Sequence, residues 1–333
     1  MKEYLVGKND AGQRLDRWLG KTVPLLPAPL AQKYIRLKRV KRNGKGAKRD
    51  VRLCVGDVLQ LYINDEFFEA PAPENAFLSV FKPQLDILYE DEHILLVDKR
   101  PGLVVHPDEH EYVNTLITHI QAYLYQKKEW DPRAEHAFTP ALCNRIDRNT
   151  GGIVIAAKTA EALRIMNQKI KDRELEKYYL CVVHGRMTPS NGRLEDFLSK
   201  DEAKNQVTVH RSPVPGGRTA VTLYRTLAVR DGLSLMECEL ITGRTHQIRA
   251  HLSSTGHPII GDSKYGNPKV NSIFRKKYAL KYQLLHAWKM QFPKREDALA
   301  KVSEKEVTAP LPERFTTIIK GEGLEWEPGI QEG

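Results

Sequence analysis

Cysteine is scarce in this chain of 333 residues: there are four, Cys54, Cys143, Cys181 and Cys238, far apart and without a Cys-x-x-Cys pair. Such spacing supports neither a disulfide framework nor a zinc site. Long apolar runs are missing as well. Ile94 to Val97 and Ile153 to Ala157 are among the longest, far short of the roughly 18 residues that suggest a membrane span. The opening Met1-Lys-Glu-Tyr-Leu-Val-Gly-Lys8 has no apolar core of the kind a secretory signal carries, so a cytoplasmic location is expected. Internal repeats are absent. With 41% hydrophobic and 28% charged residues the composition excludes collagen-like, mucin-like and bulk-disordered chains, and the length predicts roughly two domains.

What the chain has in excess is positive charge: 52 Lys plus Arg against 42 Asp plus Glu, a balance of +10. A polyanionic partner is the implication. From Lys33 to Arg52 there are ten Lys or Arg residues and one acid, Asp50, a local balance of +9. The run sits among structured segments. Leu15, Trp18 and Leu19 have the i, i+3, i+4 spacing of a short amphipathic helix, and a second helix is predicted around Leu30 to Leu37. Asn43-Gly44-Lys45-Gly46 signals a turn, and Val51 to Ile63 reads as strands interrupted at Gly56-Asp57. A basic folded unit of this size supplies salt-sensitive, sequence-independent affinity for phosphates.

Arg14-Leu-Asp-Arg-Trp-Leu19, Arg42-Asn-Gly-Lys-Gly-Ala-Lys48 and Val55-Gly-Asp-Val-Leu59 together resemble the RNA-binding domain named after ribosomal protein S-four, over roughly residues 11 to 64. Pro24, Pro27 and Pro29 depart from that pattern between the two helices. The resemblance implies a small N-terminal α/β RNA-binding domain over residues 1–69. Lys33, Arg36, Lys38, Arg39, Lys41, Arg42 and Lys45 are its candidate RNA contacts.

The Pro- and Ala-rich stretch that follows reads as a linker over 70–80, and a second domain is expected over 81–320. Strands are predicted at Ile87 to Tyr89 and His93 to Asp98. Asn114 is the expected cap of a helix carrying Leu116, Ile120 and Leu124. Ile153 to Ala157 is a buried strand; Thr159 then caps a helix with Leu163, Met166 and Ile170 inward. Tyr178 to Val183 is another strand, and Val221 to Val229 with Leu233 to Leu240 flank the hairpin signal Asp231-Gly232. Strands and helices mix without a regular βαβ rhythm, so the fold class is α+β. A mobile tail is expected over 321–333, where periodicity fades.

Three segments could carry chemistry. In Asn144-Arg-Ile-Asp-Arg-Asn-Thr-Gly-Gly152 the cations Arg145 and Arg148 flank Asp147, and a neighbouring cation suits a carboxylate nucleophile better than a proton donor. In Thr242-Gly-Arg-Thr-His-Gln-Ile-Arg-Ala-His251, Gly243 is expected to turn the chain, Thr245 to cap a short helix and Gly256 to end it. His246 and His251, five apart, lie on different sides of a helix with no acid to complete a metal set. Arg249 can pair with a carboxylate or a phosphate. In Lys177-Tyr-Tyr-Leu-Cys-Val-Val-His-Gly185, alternation puts Tyr179, Cys181 and Val183 on one face, and a cleft-facing tyrosine can stack on an unpaired base.

In this order the three segments resemble the RluA family of RNA pseudouridine synthases. Leu85 to Lys99, Pro101-Gly-Leu-Val-Val-His-Pro107, Gly261-Asp-Ser-Lys-Tyr-Gly266 and Leu284-Leu-His-Ala287 add to the resemblance. It implies a mixed, largely antiparallel central sheet forming a catalytic cleft. Asp147 matches the family's catalytic aspartate, Tyr179 its active-site tyrosine, and Arg249 the arginine paired with that aspartate; Arg145 matches a residue that holds RNA. Asn144 stands where the family usually has His, and Thr150-Gly-Gly152 replaces the commoner Thr-Ser-Gly. The implied reaction moves uracil from an N-glycosidic to a C-glycosidic bond without a redox change, so no cofactor and no metal are expected. RNA is the expected partner and a monomer the expected state. Large-subunit ribosomal RNA leads as substrate, with transfer RNA behind it. The competing class is a non-catalytic RNA-binding or ribosome-assembly protein on a synthase fold.

Overall fold

The computed structural model describes residues 1–7, 10–68, 75–108, 111–132 and 138–326. The chain divides into two compact units, Met1–Gln84 with His106–Ala134, and Leu85–Val105 with Glu135–Gly333.

The first unit begins with β1 (Lys2–Leu5), α1 (Leu15–Thr22), α2 (Ala28–Arg36), β2 (Val40–Arg42), β3 (Lys45–Gly46) and β4 (Val58–Leu61). Its strands form an antiparallel sheet in the order β1-β4-β2-β3. α1 buries Leu15, Trp18 and Leu19, the residues its spacing picks out. Pro27 is the N-cap of α2 and Pro29 lies in its first turn, where a missing N–H removes no helical hydrogen bond. The prolines therefore start this helix. Val51 to Ile63 yields only β4, because the backbone before it is drawn into a turn around the buried Asp57. That carboxylate accepts from Cys54 N at 2.7 Å and Asn43 Nδ2 at 2.9 Å, and pairs with Arg42 at 2.6 Å.

Residues 70–74 of the expected linker lie outside the described residues. Ala76–Ser79 form a 3-10 turn with Ala76, Phe77 and Leu78 buried, and the Phe77 ring meets Tyr125 and Trp130 edge-on. These residues pack as core. α3 (Leu116–Lys127) belongs to this first unit. Its cap is Thr115, whose hydroxyl accepts from Thr118 N. Asn114 is not the cap: it bonds the His119 ring at 3.0 Å, because Thr115 already occupies the position whose side chain faces the first turn.

The second unit contains β5 (Asp86–Glu90), β6 (Ile94–Lys99), β7 (Ala141–Leu142), β8 (Gly151–Ala157), α4 (Ala160–Lys171), β9 (Glu176–His184), β10 (Asn191–Asp201), β11 (Gln206–His210), β12 (Arg218–Arg230), β13 (Leu233–Leu240), α5 (Gln247–Ser254), α6 (Pro268–Tyr278), β14 (Leu285–Gln291), β15 (Glu306–Thr308) and α7 (Glu313–Gly321). Its sheet runs β11-β10-β12-β13-β9-β14-β8-β6-β5, with β15 on β14 and β7 on β8. β14 and β8 are parallel; the other pairings among the described strands are antiparallel. This is the expected α+β class with a mixed, largely antiparallel sheet.

Local signals account for much of it. Thr159 caps α4, accepting from Ala162 N at 3.2 Å. Asp231 and Gly232 both have positive φ, as the two-residue turn matching strand twist requires. One core lies where Ile153, Ile155 and Ala157 of β8 meet Met166 of α4. A second gathers Leu180, Val182 and Leu235 with Phe274 of α6 and Phe315 and Ile318 of α7. Leu324 and Trp326 join this second core, so the tail expected from residue 321 is anchored to 326; residues 327–333 lie outside the described residues. Among the described residues no helix is long and apolar enough to cross a membrane.

Candidate active site

Asp147 lies in the loop between β7 and β8, where several unrelated parts of the chain converge. Thr150 N bonds back to Asp147 O at 3.1 Å, closing a turn. The next carbonyl, Arg148 O, accepts from Gly102 N and from Lys99 Nζ, each at 2.8 Å. Lys99 is fully buried and also donates to the carbonyls of Leu103 and Arg100 at 2.9 and 3.1 Å. Burial pushes its pKa down to about 7, against the pull of Asp147 and then Asp98. Gln283 Nε2 reaches the Thr150 hydroxyl at 3.2 Å. The loop is thus fixed through its backbone and the Asp147 side chain is left for other work.

That side chain meets Arg249. Arg249 Nη1 donates to Asp147 Oδ2 at 2.8 Å, while Nε and Nη2 donate to the two oxygens of Asp262 at 2.7 and 2.9 Å. The Tyr265 ring lies under the guanidinium, 5.2 Å from its centroid. Burial works against the charge on Arg249, but Asp262 and then Asp147 outweigh it and hold the guanidinium protonated. Asp262 is likewise buried, and its fork with Arg249 and the N–H groups of Lys264 and Tyr265 keep its carboxyl below the usual carboxylate range. Two carboxylates share one guanidinium. The negative charge left over sits at Asp147, whose side chain is 24% exposed against 0% for Asp262.

Tyr179, on β9, pairs in register with Cys238 and Ala287. Burial raises its pKa, and the charge of Asp147 raises it further. The phenol stays neutral beside the carboxylate. Cys181 and Cys238 are buried on the neighbouring strands and unbridged.

α5 departs from expectation at its start. Its N-cap is His246, with φ of 52°, and not Thr245. The left-handed residue turns the chain sharply, and the buried Gln247 side chain anchors the start of the helix to its surroundings. Its Oε1 accepts from Arg244 N and Thr242 Oγ1, and its Nε2 donates to Val221 O and Thr222 Oγ1, binding the helix to β12. Gly256 follows the C-cap with positive φ, as read from the sequence. His246 Nδ1 meets the Tyr265 hydroxyl and His251 Nδ1 the Thr222 hydroxyl, both at 2.9 Å. Burial pushes each imidazole down to about 4. Among the described residues no group of three or more His, Cys, Asp or Glu is placed to hold a metal ion.

Asp147, Tyr179 and Arg249 are therefore gathered, and Arg145 is exposed in the same loop. Asn144 points away from the chemistry: its Oδ1 accepts from Ile155 N and its Nδ2 donates to Ile153 O, mimicking a strand backbone beside β8. The sequence reading missed Asp262, Tyr265 and Lys99. Gly261-Asp-Ser-Lys-Tyr-Gly266 carried the first two, but nothing in a linear motif says which carboxylate faces Arg249.

In the first unit Lys33 and Arg36 lie on α2, Lys38 and Arg39 in the turn after it, Lys41 and Arg42 on β2 and Lys45 on β3. Lys33, Arg36, Lys38, Arg39 and Lys45 are exposed. Arg42 is not free, being paired with Asp57.

Residues 93–254 match the family model described as RNA pseudouridylate synthase. An uncharacterized RNA pseudouridine synthase of Mycoplasma genitalium is 33% identical, covering 88% of this chain and 90% of its own. The ribosomal large subunit pseudouridine synthase D of Nitrosomonas europaea is 32% identical over 87% of this chain and 79% of its own. Among solved structures, human RNA pseudouridylate synthase domain containing 4 matches with a TM-score of 0.56 at 24% identity, covering 70% of this chain and 91% of that one, and so shares the fold. With the sheet, the relatives and the motif order in agreement, the chain belongs to the RluA family of RNA pseudouridine synthases, isomerases that act on uridines in RNA.

Proposed function

We propose that this enzyme converts particular uridines of large-subunit ribosomal RNA to pseudouridine, with Asp147 as the catalytic carboxylate. The observation that carries the reading is the Asp147 carboxylate oxygen held at 2.8 Å by Arg249, beside the buried Tyr179 and still reachable from solvent. In the reaction the bond from uracil N1 to ribose C1′ breaks and one from C5 to C1′ forms; C5 loses a proton and N1 gains one. Asp147 adds to the uracil ring or engages C1′ after the base departs. Tyr179 stacks on the uracil and assists the departure of the C5 proton. Arg249 fixes the carboxylate in a near-attack position, and positioning of this kind lowers a barrier by several kcal/mol. The target uridine must leave any helix it occupies, at a cost of a few kcal/mol.

The first unit is read as an S-four-like RNA-binding module. Two short helices on a four-stranded sheet expose Lys33, Arg36, Lys38, Arg39 and Lys45, and Arg14, Arg17, Lys21 and Arg52 line an open depression nearby. Ribosomal RNA is favoured over transfer RNA because relatives from Nitrosomonas europaea, Neisseria meningitidis and Vibrio vulnificus carry the name ribosomal large subunit pseudouridine synthase. The enzyme is taken to work in the cytoplasm as a monomer, without cofactor or metal.

The test uses ribosomal and transfer RNA transcripts with uridine tritiated at C5. Wild type is expected to release tritium from the ribosomal transcript. Asp147→Ala is expected to release none while binding the same RNA within about twofold. Ordinary turnover by Asp147→Ala removes the assigned role, and release from transfer RNA alone replaces the substrate.

A further inference from the structure

A second basic region lies in the catalytic unit itself. Between Ser263 and Arg295 there are nine Lys or Arg residues and no Asp or Glu, although 42 acids in 333 residues would average about four over that length. α6 carries four of the nine, Lys269, Arg275, Lys276 and Lys277, and its inner face is committed to structure. Phe274 enters the core, and Lys277 pairs with Glu322 at 2.9 Å. The outer face is different. Lys269, Ile273 and Lys276 recur at i, i+4 and i+7 with Arg275 beside them, all exposed, and Ile273 is 59% exposed. Among the described residues Lys269, Arg275 and Lys276 have no acidic partner.

Cations in the last turn are explained by the helix dipole. Lys269 is not, because it stands in the first turn, where the dipole opposes a positive charge. Its position makes sense if an anion covers this face. α6 is also locked to the site. Asn271 Oδ1 accepts from Gly261 N at 2.7 Å and its Nδ2 donates to Asp262 O at 2.8 Å, and Asp262 holds Arg249. Whatever docks on α6 is registered against the carboxylate through three linked contacts.

We propose that the outer face of α6, formed by Lys269, Arg275 and Lys276 around Ile273, is a docking surface for the phosphate backbone of the RNA substrate, built into the catalytic unit. The inference rests on RNA being the substrate, not on which RNA or on the role of Asp147.

Full-length protein carrying Lys269→Gln, Arg275→Gln and Lys276→Gln together is compared with wild type for binding to an unmodified large-subunit ribosomal RNA transcript across a salt series. Each lost phosphate contact lowers the slope of log affinity against log salt by about 0.7 to 0.9. The expected result is a slope reduced by about two and affinity lower by about ten- to a hundredfold near physiological salt, with KM raised and kcat within about twofold. A Lys269→Arg/Lys276→Arg variant is expected to behave as wild type. An unchanged slope in the Gln variant overturns the proposal, as does an Arg variant as impaired as the Gln one. A lowered slope on a transcript that wild type does not modify leaves the surface standing and rejects only the substrate reading.

Discussion

Three N–H groups of one guanidinium reach two carboxylates, and the difference between those carboxylates is their exposure. Asp262 is sealed, so removing its charge leaves Arg249 buried with a weaker partner. Breaking one side of a buried pair costs roughly 3 to 5 kcal/mol, and a displacement of about 1 Å at the reacting group costs about a hundredfold in rate. Asp262→Ala is expected to lower kcat about a hundredfold and to reduce stability by about 3 kcal/mol, read by single-turnover tritium release and urea unfolding. Arg249→Met/Asp262→Leu is expected to recover much of the stability and none of the rate. Recovery of the rate as well would mean that Arg249 serves only the fold. This cluster was half legible beforehand. Arg249 and Asp147 stand out in their motifs, but the identity of the third member depends on α5 and the 261–266 turn folding against each other, and separation along the chain carries no signal of that contact.

At the scale of elements, the Asp147 loop is held where β14 meets β8 in parallel, with His286 opposite Gly151 and Ala287 opposite Gly152. The two glycines are unequal. A Cβ on Gly152 would lie 2.1 Å from Ala287 O, and its φ is +109°, a conformation that disfavours any side chain. On Gly151 it would meet side-chain atoms, His286 Nδ1 at 2.9 Å and Pro101 at 3.1 Å. Gly152→Ala is therefore expected to destabilise by about 3 kcal/mol or more, while Gly151→Ser, which restores the residue common in the family, costs about 1 kcal/mol; thermal melts of the two variants check the ordering. Lys99 ties the end of β6 to the same loop through Arg148 O, and holds the segment that follows β6 through the carbonyls of Arg100 and Leu103. Lys99→Met removes the lysine donor from all three and leaves Arg148 O with Gly102 N alone, at about 1 to 3 kcal/mol for each group left unsatisfied, and is expected to lower kcat more than it raises KM. Equal effects on both would show that the lysine does not hold the loop. Capping was read correctly at Thr159 and wrongly at Asn114 and Thr245. Thr159 is the polar residue adjoining its helix, whereas Thr115 competes with Asn114, and His246, turned left-handed, takes the cap position in place of Thr245.

Across the whole chain, charge and acid sensitivity follow from what is buried. The stretches 33–52 and 263–295 each carry +9, so the rest of the chain is negative by 8 within a total of +10. The first is dense enough to be seen in a twenty-residue window; the second is diluted by the apolar residues of β14 and emerges when α6 shows one face to solvent. His246, His251 and His286 are each pushed down to about 4 by burial, against about 6.5 in an unfolded chain. The unfolded state binds protons that the folded state refuses, so their contribution is complete above about pH 6.5 and is lost as pH falls toward 4. At about 1.4 kcal/mol per pH unit for each site, the loss is on the order of several kcal/mol, and the melting temperature is expected to drop steeply across that window. A flat profile from pH 7 to 4.5 would mean that these imidazoles are not held neutral. The sequence by itself determined the periodic elements, the hairpin, the basic module and the order of family motifs, because these depend on neighbours within a turn or a strand. Only the tertiary structure decided that Asp262 pairs with Arg249, that Lys99 reaches the Asp147 loop, that Arg42 belongs to Asp57 and that 76–79 and 321–326 are core. Each of those depends on which distant groups share the same buried volume, where an unpaired charge or an unfilled space costs too much free energy to be left.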